Sequence, residues 1–234
     1  MTKSAVAVPE EPRQSGASLT DRAYHALEEM IVTLKLEPGI VLSETSLAAE
    51  LAIGRTPIRE ALQRLTREGL VTILPRKGIL VTEINPAKQL QLLEVRRELE
   101  KLIARGAAKH RSAEEKPLFL EIAEGMERAA RDNDDITFMR HDEGFNSLAA
   151  KAARNEYASR AMGLLHGLSR RFWYVHYKES ADLPLCARLH AELARNIAEA
   201  DGAGAADACD RLIDYVETFT RATVLSPAGQ GPNG

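Results

Sequence analysis

Arginine, threonine and glutamine side chains recur along one face of the stretch 55–67, where they could bind the edges of nucleic-acid bases. The apolar residues between Ile58 and Leu65 fall at helical spacing, so the polar side chains collect on the opposite face. A guanidinium can bridge the O6 and N7 acceptors of guanine, and a short cationic helix fits a major groove. An ordinary surface helix with solvated charges is the alternative. The polar face comprises Thr56, Arg59, Gln63 and Arg67.

The same stretch carries signals for both ends of a helix. Thr56 can cap the N-terminus, and Pro57 suits the first helical position because its missing N–H has no partner there. The helix N-terminus, together with Thr56, could hold a phosphate. Gly69 is predicted to end the helix.

Two helices are predicted to precede this cationic helix. Thr20 can cap the first, over about 21–34, and the Glu-Pro-Gly sequence that follows is typical of a turn. Ser43 can cap the second, over 44–51, and a glycine turn at 52–54 leads into the cationic helix. A helix, a short helix, a glycine turn and a cationic helix are the order of a helix-turn-helix.

A β-hairpin is predicted directly after the cationic helix. The runs 70–74 and 79–82 are apolar and rich in β-branched residues, and the segment between them has the composition of a turn. Arg76 and Lys77 at the tip could reach phosphates or a minor groove, and Gly78 lets the backbone approach closely. Such a hairpin after a helix-turn-helix is a wing.

Charge and composition limit the classes of protein. The net charge of −3 argues against a chain that coats nucleic acid along its whole surface, but residues 55–77 carry six Lys or Arg side chains against Glu60 and Glu68. Two cysteines, Cys186 and Cys209, are too few for a disulfide framework and indicate reduced thiols. No apolar run approaches the length of a membrane span, so we expect a cytoplasmic protein without a membrane partner.

Four motifs between residues 19 and 84 carry a family resemblance. They are Leu42-Ser43-Glu44 with Leu47-Ala48, the run Arg55-Thr-Pro-Ile-Arg-Glu-Ala-Leu62, Arg64-Leu65 with Glu68-Gly69-Leu70, and Arg76-Lys77-Gly78 with Val81. In this order they resemble the N-terminal domain of GntR-family bacterial transcriptional regulators. The resemblance implies that Arg55, Thr56, Arg59 and the wing glycine segment contact DNA. The DNA-contacting residues that we predict are Ser43, Thr45, Arg55, Thr56, Arg59, Gln63, Arg76, Lys77 and Gly78.

The rest of the chain shows almost no strand pattern. We predict a mainly α protein, with a mobile arm (1–18), a winged helix-turn-helix of three helices and a hairpin (19–84), an all-α antiparallel bundle (85–225) and a disordered tail (226–234). Ser112 and Glu115 have the spacing of a capping box. The core of such a bundle can hold a ligand or a metal. The six predicted helices cover about 86–110, 115–131, 135–154, 155–177, 185–200 and 205–224.

This second half resembles the FCD domain, the effector-binding bundle of the FadR subgroup of the same family. The motifs are Glu94-Val95-Arg96 with Leu99-Glu100, Asp142 with Phe145-Asn146 and Asn155, and His190 with Ile197 and Asp201. Many FCD domains hold a divalent metal with one Asp and three His, so the resemblance implies that Asp142 and His190 are metal ligands. Asn146 replaces the first His, and about Leu212 occupies the place of the last one.

Asp142 and Asn146 share a helix face, since they lie four residues apart. We predict that Asp142, Asn146 and His190 bind one divalent metal ion of the Zn, Ni or Mn type, or alternatively an effector directly through hydrogen bonds. The family places an Arg at the position of Arg96 in the effector cavity, where it could clamp a carboxylate. A surface pair with Glu100 is the alternative.

Other polar residues of the second half have less definite interpretations. Arg170 and Arg171 precede three aromatic residues and could supply cation and aromatic contacts to a ligand, or they could be solvated arginines beside core aromatics. His166 lacks a partner at metal-ligand spacing, so it is expected to be structural or on the surface.

Together, these features predict a ligand-responsive bacterial transcriptional regulator. A homodimer would bind a pseudo-palindromic operator in double-stranded DNA, because a two-fold protein matches a two-fold site. A small, carboxylate-bearing effector would release it as a repressor; an activator with the same architecture is the alternative.

Two other classes of function remain open at this stage. A metal-dependent enzyme could use Asp142, Asn146 and His190, but no paired acid and base, nucleophile or phosphate loop is visible. An architectural DNA-binding protein would have no use for a polar cluster inside an apolar bundle.

Overall fold

The computed structural model describes residues 18–180 and 182–225. The predicted mobile arm, apart from Ser18, and the predicted tail at 226–234 lie outside the described residues. Within the described part the chain is mainly α, with one small sheet close to the N-terminus. The N-terminal elements are α1 (Leu19–Val32), β1 (Val41–Leu42), α2 (Glu44–Leu51), α3 (Arg55–Arg67), β2 (Val71–Leu74) and β3 (Gly78–Val81).

The wing hairpin is confirmed, and the sheet has a third strand that the sequence pattern did not predict. β3 lies in the middle, antiparallel to β2 on one side and to β1 on the other. β1 has two residues, which is too short for an alternating pattern. Gly78 at the start of β3 has a φ of +117°, and a Cβ there would lie 2.5 Å from the carbonyl oxygen of Leu42. Only glycine fits this close strand contact.

Two predicted N-caps are wrong by two residues. Ser18, not Thr20, caps α1 by accepting a hydrogen bond from the Asp21 N–H, and the Thr20 hydroxyl instead donates to Glu60. Gly54, not Thr56, is the N-cap of α3. Thr56 therefore lies in the first turn of the helix. The predicted cap of α2 is confirmed, because the Ser43 hydroxyl accepts from the Ser46 N–H at 3.0 Å.

The second half has seven helices in its described residues instead of the predicted six. The predicted helix over 155–177 is interrupted. The N–H groups of Leu164 and Leu165 donate to carbonyl oxygens three residues back, as in a 3₁₀ turn, instead of four residues back. The predicted capping box is confirmed by reciprocal bonds between Ser112 and Glu115. The helices are α4 (Pro86–His110), α5 (Glu115–Arg131), α6 (Asp135–Ala152), α7 (Glu156–Gly163), α8 (His166–Ser180), α9 (Leu183–Ala198) and α10 (Gly202–Leu225).

The two halves have separate hydrophobic cores that meet at α1 and α8. Val32 at the end of α1 is fully buried in the core of the bundle, and Leu168 of α8 packs against the core of the N-terminal domain. A Cβ added to Gly167 would lie 2.7 Å from a methyl group of Leu70, so the contact between the domains is close. None of the described helices has the length and apolar character that crossing a membrane requires.

Candidate functional site

An open cleft lies between α3 (the cationic helix, which is the recognition helix of a helix-turn-helix), the N-terminus of α2 and the wing. Its volume is about 340 Å³, and its walls hold six of the nine predicted DNA-contacting residues. Thr56, Gln63 and Lys77 are exposed but do not line this cleft. The six lining residues are Ser43, Thr45, Arg55, Arg59, Arg76 and Gly78.

The two arginines at the start of α3 are held by a carboxylate that sequence reasoning missed. Arg59 donates to both oxygens of Glu44, with Nη2 2.9 Å from Oε2, and Arg55 lies 3.7 Å from the same oxygen. Hydrogen bonding to Arg59 lowers the pKa of Glu44 below its usual value. Both guanidinium groups stay more than half exposed, so this pairing orients them without removing them from solvent. No local pattern indicates this contact, since the partners are 15 residues apart.

Arg64 of the same helix has a structural position. Its guanidinium lies 3.4 Å from the centroid of the Tyr24 ring, and its Nε donates to Glu68 at 3.1 Å. The hydroxyl of Tyr24 donates to the other oxygen of Glu68. Arg64 therefore fastens α3 to α1 and faces away from the cleft.

A second polar site lies inside the bundle and is centred on Asp142 of α6. Its Oδ1 is 3.2 Å from His190 Nε2 and accepts from the Asn146 amide at 3.2 Å. Its Oδ2 is 3.0 Å from Arg170 Nε. The structure thus brings together the three residues predicted to form the metal or effector site, and it adds Arg170.

His190 and Asp142 form a buried pair with complementary charges. His190 Nδ1 lies 2.9 Å from the carbonyl oxygen of Cys186 and must donate to it, which leaves Nε2 to face Asp142. Burial alone would lower the pKa of His190, but its contacts with Cys186 and Asp142 raise that pKa well above its usual value. Burial alone would raise the pKa of Asp142, but His190 and Arg170 hold it well below its usual range.

Arg96 is buried beside this pair, so the surface alternative for Arg96 and Glu100 is wrong. Arg96 Nε donates to Glu100 at 2.5 Å, and its Nη1 donates to the Ser169 hydroxyl. Burial would raise the pKa of Glu100, but Arg96 and His166 lower it to about 2. Arg96 is thus a buried cation beside the cluster around Asp142, paired with an ionised Glu100.

Two small cavities adjoin this polar cluster. One, of about 20 Å³, is lined by Glu100, Asn146 and His166, among others. The other, of about 30 Å³, has Arg96, Asp142, Ser169, Arg170, Trp173 and His190 in its wall. Cavities of this size hold one or two water molecules, so an organic effector must push the lining groups apart.

Three nitrogen atoms in these cavity walls have no hydrogen-bond partner among the described residues. They are Arg170 Nε, Trp173 Nε1 and His166 Nε2. His166 Nε2 lies 3.7 Å from Glu100, which is too long for a hydrogen bond. The alternative of solvated arginines at 170 and 171 is wrong, because both side chains are buried. His166, expected to be structural or on the surface, is partly buried beside Glu100, which is compatible with a structural position. The Arg-Arg pair before the aromatic run was the sequence signal for Arg170.

The donor set fits a divalent metal ion poorly. Arg170 already lies against Asp142 as its counterion, and a guanidinium there repels a metal cation. Asn146 turns its amide nitrogen, not its oxygen, towards Asp142. Buried Leu212 adds no ligand, and no group of three His, Cys, Asp or Glu side chains in the described part of the chain could hold a metal.

A winged helix-turn-helix joined to a bundle with a buried polar cavity defines the class of one-component transcriptional regulators. Residues 19–81 match the family model of bacterial regulatory proteins of the gntR family, and residues 91–215 match the FCD domain. The chain therefore belongs to the GntR family, in its FadR-like branch with an FCD domain. It is a ligand-responsive DNA-binding transcriptional regulator.

Relatives extend along most of the chain. One relative is an uncharacterized HTH-type transcriptional regulator in the TAR-I ttuE-ttuC' intergenic region of Agrobacterium vitis. The two sequences are 36% identical over 149 residues, a match that covers 60% of this chain and 84% of the relative. This chain is also 26% identical over 196 residues to the HTH-type transcriptional repressor RspR of Escherichia coli (strain K12), which covers 83% and 84%. The structure of E. coli McbR/YncC has the same fold, with a TM-score of 0.76 at 18% identity, covering 89% of this chain and 100% of that one.

Proposed function

We propose that this regulator is a homodimeric repressor that binds a pseudo-palindromic operator and releases it when a small carboxylate-bearing metabolite enters the bundle. The naming of RspR as a repressor supports this direction of control. We assign DNA binding to residues 19–84 and effector binding and dimerisation to residues 85–225. Because it binds operator DNA in a bacterial cell, the protein acts in the cytoplasm.

The observation that carries the effector assignment is the set of buried nitrogens at Arg170, Trp173 and His166 that make no hydrogen bond within the described residues. A buried donor without a partner costs about 1–3 kcal/mol, and an acceptor-rich ligand can recover that free energy. Buried Arg96 and Arg170 lie in the same wall, where each is paired with a carboxylate of the chain that an incoming carboxylate can replace. A carboxylate, with two oxygens and one negative charge, matches both features.

Exposed apolar side chains on α4 support the homodimer. Val95 and Leu102 lie two helical turns apart on the same face, with exposed fractions of 53% and 43%. An apolar stripe on a solvent-facing helix is typical of a surface that a partner covers. In a two-fold dimer through this face, the two recognition helices would meet successive half-sites of the operator.

A divalent ion of the Zn, Ni or Mn type at Asp142, Asn146 and His190 stays a prediction from the family resemblance. The contact between Arg170 and Asp142 favours the alternative of direct effector binding. Two contacts argue against the metal-dependent enzyme. Asp142 is paired with Arg170, and Asp142 and His190 are already engaged with each other. The matched relatives are described as transcriptional regulators, which also supports a protein that is not an enzyme.

The test begins with selection of the operator from a random duplex library. Fluorescence anisotropy then follows binding of the full chain to this operator over a salt series, with and without small organic acids, and elemental analysis counts bound metal. We expect tight, sequence-specific binding that a carboxylate weakens and that needs no metal. Binding that ignores every acid, or consumption of an acid, would contradict the proposed function.

A further inference from the structure

Helix α8 touches the effector cavities and the DNA-binding domain through neighbouring residues. His166, Ser169 and Arg170 line the cavities. Gly167 and Leu168, between them in the chain, pack against the N-terminal core. An effector that moves the cavity wall therefore also moves the contact with the DNA-binding domain.

Arg170 connects the two domains directly. Its Nη1 lies 2.5 Å from an oxygen of Glu28 on α1, while its Nε lies 3.0 Å from Asp142 in the effector site. All three side chains are at least nine-tenths buried. Its Nη2 donates to the carbonyl oxygen of Met139 at 2.7 Å. One guanidinium is thus the shared counterion of a carboxylate in each domain.

The hydrogen bonding of Arg170 is incomplete on the effector side. Its Nε–H contacts Asp142 at ion-pair distance without the alignment of a hydrogen bond. A ligand carboxylate in the adjacent cavity could accept from Arg170 in a two-oxygen, fork-like geometry. The cavity of about 30 Å³ is too small for this without displacement of its wall, so the incoming group must compete with a carboxylate that Arg170 already holds.

We propose that the effector carboxylate competes with Glu28 for Arg170, so that effector binding releases α1 from the bundle. This inference rests on the proposed function and names its route of regulation. Glu28 is buried and has one oxygen without a partner in the described residues, so it depends on Arg170 for neutralisation. A buried carboxylate that loses its counterion is strongly destabilised and must move or take up a proton.

Release of α1 would affect DNA binding because α1 carries the recognition helix. Tyr24 and Arg64 fasten the two helices together, and Thr20 of α1 donates to Glu60 of α3. While Glu28 is held, α3 keeps a fixed orientation relative to the bundle. If freeing Glu28 favours the conformation that binds effector, any change that frees Glu28 weakens operator binding and strengthens effector binding.

The first experiment needs no effector and compares two isosteric variants, Glu28→Gln and Glu50→Gln. Glu50 is exposed on α2 and pairs with Lys35 of the same domain, where a surface ion pair contributes little. We expect E28Q to lower operator affinity by about 5- to 150-fold, the usual range of allosteric coupling, and to speed hydrogen exchange in α1. E50Q should stay close to wild type in both measurements. Equal behaviour of the two variants would overturn the proposal.

The second experiment uses malonate as the carboxylate probe and sulfate as the control anion, with binding followed by calorimetry. We expect malonate to bind E28Q more tightly than wild type, because more of the variant already has the conformation that binds effector. A purely structural role for Glu28 would weaken operator binding without strengthening malonate binding, and that result would overturn the proposal.

The two proposals fail in different ways. If malonate releases wild type from DNA but E28Q keeps wild-type affinities for both ligands, the route through Glu28 is wrong and the proposed function stands. If neither malonate nor any other carboxylate affects the wild type, the proposed function is wrong. The comparison of E28Q with E50Q still decides whether Glu28 couples the domains.

Discussion

At the scale of single residues, the DNA-facing arginines depend on Glu44 for their direction. Glu44 holds Arg59 through two hydrogen bonds and lies near Arg55, so both side chains reach the cleft in a defined geometry. An arginine with a fixed orientation loses less conformational entropy when it binds a base. Helical spacing in the sequence predicts which residues face DNA, and that stays a prediction; nothing in the sequence indicates that a carboxylate of another helix orients Arg59.

Arg59→Ala should weaken specific operator binding by about 1–3 kcal/mol, because a guanidinium that bridges two acceptors on a base is lost. Binding to unrelated DNA should change far less. Arg128→Ala is the matched control, since Arg128 forms an exposed pair within α5. Anisotropy titrations with operator and random duplexes measure both affinities. An equal loss of affinity for the two duplexes would show that Arg59 contacts only phosphate.

Gly78→Ala should destabilise the winged domain by about 1 kcal/mol or more, because a side chain at φ +117° is strained and its Cβ would meet the Leu42 carbonyl. Denaturant unfolding measures the difference in unfolding free energy. Gly163→Ala, with open space around its added methyl group, should be neutral or stabilising. Similar unfolding free energies for the two variants would contradict the strand contact described above.

At the scale of elements, most helices follow from hydrophobic periodicity and capping residues. The bounds of α4 and α2 are as predicted, because Pro86 and Ser43 give clear signals at their starts. The break between α7 and α8 was not predictable, since no proline lies near it and the apolar pattern continues through it. This break matters for function, because α8 then begins where the cavity and the DNA-binding domain meet.

The buried Arg171 of α8 should control the mobility of the linker between the domains. Its guanidinium donates to the carbonyl oxygens of Thr82 and Glu83, and burial lowers its pKa to about 10. Arg171→Met should leave those carbonyls unsatisfied and speed hydrogen exchange around residues 82–85. Mass spectrometry of exchanged peptides measures this effect, with Arg160→Met in exposed α7 as the control. Unchanged exchange in the linker would rule out this role.

The polar cluster around Asp142 shows where prediction from sequence reaches its limit. Asp142, Asn146 and His190 were identified because family motifs and helical spacing mark them, and the structure brings them together. Arg170 could not be assigned as their counterion, since that contact depends on how α8 crosses α6. The preference for a metal ion came from two retained ligands, whereas the added guanidinium changes the charge of the site.

At the scale of the whole molecule, ion pairs between α1 and α6 add to the contact through Arg170. His25 Nδ1 lies 2.5 Å from Glu143, and this hydrogen bond raises the pKa of His25 above its usual value of 6.5. A raised pKa in the folded protein means that the pair stabilises the domain contact fully below pH 6.5. This stabilisation is lost as the pH rises through the folded pKa.

Nuclear magnetic resonance titration of the His25 ring protons tests this pH dependence. In wild type the midpoint should lie above 6.5, and in Glu143→Gln it should fall, because the anionic acceptor is gone. Glu156→Gln, in a pair with Arg160 far along the chain, is the control. A midpoint that is the same in wild type and Glu143→Gln would show that Glu143 does not bind His25 in solution.

Val32 of the winged domain packs in the core of the bundle, and Leu168 of the bundle packs against the core of the winged domain. This packing has a consequence for building hybrid regulators. Each domain fills part of its interior with a side chain that belongs to the other, so the boundary at residue 84 does not separate two interchangeable modules. A chimera that joins this winged domain to another effector bundle would need residues 167–171 of α8 as well. Biosensors made by transplanting residues 19–84 alone would carry a hole under α1 and lose their response to ligand.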